Sequence, residues 1–581
     1  MRLTNAFSLL ALAGSALADT VTYDWTIDWV TASPDGFARP VIGINGQWPC
    51  PLVQVNQGDT LIVNVQNNLG NETTGIHWHG FTQKGTPEMD GAVSASQCAI
   101  APGSSFTYQF TADYSGTYWY HSHVMGQYPD GLRGPLIVND PADPYADLIE
   151  EDVILTISDW YHSQTIPLVQ AMLSPNNTAF FIPPVPDSMI LNEGGSNLIP
   201  FAKGKTYRIR LINFSALSAA FVTFGSQVMQ IVAQDGRYIT PADAYTIRID
   251  AAQRYDVILT CSESDVNEPY LVALDANPDY TNPNATPRPI TFPYNSTGYL
   301  VVDPDGAFTE TLEVEGSFTP IDDSLFSSAT ETSASLGEAD QTIQIDFNFC
   351  VDANGTPQAC FNGRPYVDQQ VPALYTAATV GDDNTNPIVY GNVNPYILES
   401  GQTIDIIVNN YNFALHPFHL HGHHFQVLER PGTGAGPYPG FTTQSSECPA
   451  FRDTVTVYAN SYAVLRFQAD NPGVWLFHCH IEWHVDMGMS ASMIEAPEQL
   501  RGKQFPQDHI DACKAVGQPY QGNAAGNTED PLNTTGFVYL NPQPYLGALF
   551  DPNSVTTPQA KRARDERKMK RSAKKFPMFT S

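Results

Sequence analysis

Ten histidines and one cysteine fall into four short stretches of the chain. They are His77 and His79 in HWHG, His121 and His123 in HSH, His416, His419 and His421 in HPFHLHGH, and His478, Cys479, His480 and His484 in HCHIEWHVDMGM. A single histidine is ordinarily a core or surface residue, the reading given to His162 and His509; His423 and His424 are left unassigned. Four clusters in one chain point instead to metal, because imidazole is the commonest metal ligand and His-x-His on a strand turns both rings to one face. The run His478-Cys479-His480 cannot serve one ion, since successive side chains on an extended strand face opposite ways. This spacing predicts one strand serving two sites, with the cysteine on one side and two histidines on the other.

A thiolate and two imidazoles in a trigonal array, with a weak axial thioether, form the donor set of blue copper. Cys479, His416, His484 and Met489 can supply it, with Met487 a bland neighbour. The other eight histidines form four His-x-His pairs and suit a cluster of three copper ions. Zinc competes for such ligands, but zinc sites seldom divide adjacent residues of one strand between two centres. Four copper ions are therefore expected.

Such ligands need rigid elements beneath them, and the flanking sequence supplies strands. TLIVNVQNNL, GTYWYHSH, TYRIRLINFS, TIDIIVNN and YAVLRFQAD are rich in β-branched and aromatic residues and broken by turns. GDTLIVNVQNNLGNETTGIHWHG parallels GQTIDIIVNNYNFALHPFHLHGH, and DYSGTYWYHSH parallels DNPGVWLFHCHIEWH, so one design carries histidines twice. The expected fold is all-β: three consecutive β-sandwich domains over residues 19–142, 143–302 and 341–500. A signal peptide (1–18), a linker (303–340), a C-terminal extension (501–560) and a basic tail (561–581) complete the layout, with metal between the first and third sandwiches.

The 581 residues carry 60 acidic and 28 basic side chains, a net charge of −32. Nine of the basic residues lie in AKRARDERKMKRSAKK, so the body is more acidic still. That balance argues against nucleic acid and anionic membranes as partners. Lys561-Arg562 and Lys570-Arg571 resemble dibasic processing sites. The opening MRLTNAFSLLALAGSALADT has the early arginine, apolar run and Ala-Leu-Ala pattern of a secretory signal, and no later run is long and apolar enough to cross a membrane. Seven N-x-[ST] sequons, at Asn71, Asn176, Asn213, Asn284, Asn295, Asn354 and Asn533, add the expectation of a secreted, extracellular or wall-associated glycoprotein. Eight cysteines suit an oxidising compartment, and Cys350 and Cys360, flanking DANGTPQA, can form a local bridge.

The four histidine segments resemble the copper-binding signatures of the multicopper oxidases, and the similarity covers nearly the whole mature chain. That resemblance implies cupredoxin-like Greek-key sandwiches and a type 2 copper on His77 and His419. It further implies two type 3 coppers on His79, His121, His123, His421, His478 and His480, and a type 1 copper on His416, Cys479 and His484 with Met489 axial. One-electron oxidations at the type 1 copper would feed four-electron reduction of O2 to water. Asp90 and Glu482 resemble the family's acids beside the cluster, and Cys98 and Cys513 resemble a disulfide tying the third domain's tail to the first.

Two fungal branches are similar, laccases and iron oxidases. HSHVMGQYPDGLRGPLIV and ADNPGVWLFHCHIEWH look closest to the iron oxidases. Against that, Pro183 stands where those enzymes carry a carboxylate before P-x-P, and ERPGTGAGPYPGFTTQ is poor in acids. Asp187 matches the acid that many laccases place against a phenol hydroxyl, a turn or cap role being the equal alternative. The expectation is therefore a monomeric, laccase-like oxidase of phenolic and aromatic substrates. A soluble ferroxidase acting on Fe(II) is the alternative, and a non-enzymatic copper-binding protein the third reading.

Overall fold

The structure is a computed structural model that describes residues 18–177, 183–261, 266–274, 295–312, 318–329 and 336–539. Most of the expected signal peptide, the sequon at Asn284 and the basic tail lie outside these residues. Six sheets stack as three cupredoxin-like β-sandwiches in chain order, with sheets of four and four, six and five, and six and five strands.

Each sandwich opens in the same way. Its first long strand pairs in parallel with a later one: Thr20–Ala32 with Thr60–Asn67, Glu151–Trp160 with Thr206–Asn213, and Gln341–Val351 with Thr403–Asn410. In Thr60–Asn67 burial alternates strictly, sending Leu61, Val63 and Val65 into the first core, as a period-two pattern requires. Each second strand ends in a buried asparagine whose amide ties down the next loop. Asn67 Nδ2 donates to Glu72 O and Ile100 O, Asn213 Nδ2 to Ser218 O and Ile249 O, and Asn410 Nδ2 to Ala414 O and Val457 O. The sequon match at Asn213 is thus a structural asparagine, fully buried and committed to two carbonyls. The repeat extends to the middle sandwich, minus its histidines.

The third core does not stop at its own sheets. It runs on into Trp119 and Tyr128 of the first sandwich and Tyr161, Ile212 and Phe214 of the second. The segment expected as a linker is docked: Asp323 pairs with Arg430 and Arg452, and Tyr255 Oη donates to its carboxylate at 2.8 Å. The C-terminal helix Gln507–Ala515 lies on the first sandwich, where Asp508 accepts the Thr107 N–H at 2.8 Å and Cys513 is bonded to Cys98. Cys350 and Cys360 form the second disulfide among the described residues. No described helix is long and apolar enough to cross a membrane.

Candidate metal centre

Strand register builds the centre. Ile76–His79 runs antiparallel to Gly116–Ser122 with His77 opposite His121 and His79 opposite Trp119, while the intervening Trp78 turns into the core against Trp25 and Phe110. In the third sandwich, His416–Leu420 runs antiparallel to Gly473–Cys479, with Phe418 opposite Cys479 and His419 opposite His478. Alternation then divides the run: Cys479 faces the side of His416 and Phe418, and His478 faces the side of His419. The short helix Glu482–Asp486 returns His484 to the cysteine side. A turn at Gly488 (φ 98°) brings Met489 back beside it, its carbonyl accepting the Cys479 N–H at 3.1 Å.

Four groups made only of histidine and cysteine donors converge, each with its ligand atoms within 4.8 Å of one another: His416, Cys479 and His484; His79, His121 and His480; His123, His421 and His478; and His77, His79 and His419. In the first, Cys479 Sγ lies 3.8 Å from His416 Nδ1 and 3.7 Å from His484 Nδ1, and the two nitrogens are 3.2 Å apart. The two imidazole nitrogens and the sulfur thus converge on a common point, as a trigonal donor set requires.

The other rings are aimed from behind. Nδ1 of His77, His419, His121 and His478 donates to the carbonyls of Asp90, Asp453, Ser122 and Cys479 at 2.8, 2.9, 2.9 and 2.7 Å. His421 Nδ1 donates to Asp90 Oδ2 at 2.8 Å, and His79 Nε2 to Asp453 Oδ1 at 3.2 Å. An oxygen acceptor fixes the tautomer, so each ring's other nitrogen is an acceptor turned inward. Nε2 of His77, His121 and His419, Nδ1 of His79 and both nitrogens of His480 are buried with no hydrogen-bond partner. Protonation does not relieve them. Burial first, then the other imidazoles, holds His121, His123, His421 and His480 well below the ordinary histidine range, and His478 is pushed down to about 3. Neutral imidazoles with orphaned, convergent lone pairs fit metal cations, and the thiolate of the first group selects a soft one.

Asp90 is fully buried, its carbonyl holding His77 and its carboxylate His421, so one residue braces rings from both sandwiches. Gly91 (φ 85°) permits this, because a Cβ there would stand 1.8 Å from Ile76 O. Glu482, two residues after His480, is buried and accepts the Gly126 N–H at 2.7 Å. His423 pairs with Glu495 at 2.6 Å, outside the donor groups.

Sequence models of the multicopper oxidase family match residues 26–143, 151–288 and 366–499. The chain is a multicopper oxidase. It carries four copper ions, one of type 1, one of type 2 and two of type 3, and uses O2 as acceptor. This multicopper oxidase is 42% identical to the iron transport multicopper oxidase fetC of Epichloe festucae, over 92% of this chain and 86% of that one. It is 36% identical to the iron transport multicopper oxidase FET3 of Saccharomyces cerevisiae, over 91% and 85%. Among solved structures it is similar to Fet3p, a multicopper oxidase that functions in iron import, with TM-score 0.84 and 34% identity over 90% of this chain and 99% of that one. The laccase from Botrytis aclada is less similar, with TM-score 0.69 and 26% identity over 86% and 92%.

These relatives overturn the expectation of a laccase-like phenol oxidase in favour of the iron-oxidising alternative. That expectation weighed a few loop positions, Pro183 and an acid-poor stretch, against a likeness running through nine-tenths of the multicopper oxidase. In that expectation Asp187 meets the phenol, with a turn role as its equal alternative. The residue is exposed, its Oδ2 accepts the His162 N–H and its own N–H donates to Trp160 O, both at 2.7 Å, so it closes a turn. Sequence reasoning also missed Asp453, fully buried behind His79 and His419 and paired in bidentate fashion with Arg254 at 2.8 and 2.6 Å. Its signal was a charged Arg-Asp pair opening the otherwise apolar strand FRDTVTVYA.

Proposed function

We propose that this multicopper oxidase oxidises Fe(II) one electron at a time and delivers the electrons to O2, which leaves as water. The observation that carries this reading is the 42% identity with an iron transport multicopper oxidase along 92% of the chain. In it, His416, Cys479, His484 and Met489 hold the type 1 copper and His77 and His419 the type 2. His79, His121 and His480 hold one type 3 copper, and His123, His421 and His478 the other, a division supported by how the donors converge. When bound, copper supplies one-electron redox steps and a place for dioxygen.

The chain itself supplies connection and protons. Cys479 is covalently joined through its backbone to His478 and His480, and the 2.7 Å contact from His478 Nδ1 to Cys479 O adds a hydrogen-bonded shortcut between the two centres. Asp90 and Asp453 keep the rings in place. The two disulfides support export to an oxidising compartment. Steady-state O2 uptake with Fe(II) and with a methoxyphenol, measured side by side, tests the proposal. The expected result is a far lower KM for Fe(II); equal or better use of the phenol overturns it.

Glu482 is the proton donor in this reading. Burial, only partly offset by the Gly126 N–H, pushes its carboxyl up to about 8, so at neutral pH it holds a proton beside the cluster. Glu482→Gln is expected to keep the blue colour and lose turnover, with a deficit that grows as pH rises and solvent protons become scarce. The same shift has a stability signature. The folded chain keeps a proton that the unfolded chain sheds above its ordinary value of 4.5, so this contribution is present below 4.5 and lost as pH rises through about 8. Thermal unfolding across that interval should therefore show Glu482→Gln gaining Tm relative to the parent.

A further inference from the structure

A cleft of about 190 Å³ opens where the three sandwiches meet, away from the type 1 donors, and among its walls are Lys84, Tyr114, Arg237, His424 and Phe451. Arg237 is unusual in this acidic chain. Arg39, Arg133, Arg208, Arg210, Arg254 and Arg452 are all buried and all paired with carboxylates. Arg237 has no carboxylate partner among the described residues; its guanidinium lies over the Tyr114 ring at 4.4 Å and near Phe451 at 5.9 Å. Stacking leaves the donor edge of the guanidinium open, the geometry that takes a carboxylate with two parallel hydrogen bonds.

The position is rigid. Arg237 follows an Asp235-Gly236 turn in which both residues have positive φ, 44° and 76°. A Cβ on Gly116 of the first sandwich would stand 2.5 Å from Gly236 Cα, so the turn is pressed backbone to backbone against its neighbour. Deeper in the cleft, the His424 side chain is 6% exposed and its Nε2 lacks a hydrogen-bond partner, 3.9 Å from Asp453 Oδ2. At the rim, Lys84 is neutralised by Asp470 at 2.9 Å, both about half exposed. The cleft therefore offers one net positive charge and aromatic walls.

We propose that this cleft is a binding site for a small aromatic monocarboxylate, its carboxylate on Arg237 and its ring against Tyr114 and Phe451. A monoanion matches the single uncompensated charge, and a ring of six carbons fits the volume where an inorganic anion leaves the walls bare. The site is separate from the copper donors, although His424 and Asp453 place it behind His79 and His419.

Calorimetric titration of the copper-loaded protein with benzoate, benzamide and acetate tests the site. One benzoate per chain is expected, with benzamide and acetate each weaker by at least about tenfold, the first lacking the charge and the second the ring. Arg237→Gln should weaken benzoate by at least about tenfold while copper content stays unchanged. Benzamide binding as well as benzoate, acetate binding as well as benzoate, or no saturable benzoate site, each overturns the proposal on unaltered protein. Benzoate binding that ignores Arg237→Gln overturns it too, because the anion would then be held elsewhere, on copper included.

Discussion

Replacing Cys479 with serine is expected to abolish the intense blue absorption, lower the copper content from four ions per chain to three, and reduce turnover to background. The thiolate is the only anionic donor in its group, and without it the copper is left to the two neutral imidazoles of His416 and His484 and the weak thioether of Met489. A hydroxyl is a hard, protonated and weaker donor for the same metal. The fold should survive: Cys479 is fully buried in the third core and serine removes little volume. The cluster histidines are untouched, so the three remaining coppers should still be detected by metal analysis and by their own spectroscopic signals. A variant that stays blue, or that still consumes O2 with Fe(II), removes Cys479 from the electron route. The test separates wiring from metal storage, which a count of bound copper alone does not.

Asp453→Ala should have the largest effect on stability. Burial pushes the Asp453 carboxyl up, but the charge and hydrogen bonds of Arg254, with His79 and His419, outweigh it and hold it well below the usual carboxylate range. Truncation takes from the fully buried Arg254 guanidinium its bidentate partner, leaving it Asp235 at 3.6 Å and two backbone carbonyls, and removes the carboxylate that accepts from His79. Breaking a buried pair from one side costs roughly 3–5 kcal/mol. Denaturant unfolding should show that loss, and copper analysis should show ions missing from the cluster while the blue band persists. Asp453→Asn, which keeps the volume and one acceptor, should fall between. The sign with pH follows from the lowered carboxyl: the stabilisation is present above the ordinary carboxylate range and is lost as pH falls through the folded-state value. If the alanine variant matches the parent in both readouts, the carboxylate is not a support of the cluster.

The ligands were legible because copper chemistry tolerates few side chains and a strand's period of two leaves them at recognisable spacings. Cys479 between His478 and His480 is the clearest case, since alternation alone assigns the three to two faces. Which histidine meets which could not be derived from spacing: His79 joins His121 and His480 only through packing of residues 400 positions apart. Asp453 escaped notice because a lone acid in FRDTVTVYA looks like any strand charge until Arg254 is seen opposite. Asn213 looked like a glycan acceptor because the sequon is blind to burial. The reductant was misjudged because a few loop substitutions carry less information than similarity along the entire chain.

The trinuclear cage draws four rings from near the start of the chain and four from near its end. A ribosome that stalls before residue 419 leaves a product with half a cage, and one that stalls between residues 421 and 478 leaves a product still lacking two of the eight rings; neither can take up its full complement of metal. Full loading thus requires a chain synthesised past the last of these rings and folded with its first sandwich against its third, and a chelator that strips the ions should loosen the seam between the two terminal lobes before it disturbs either one alone.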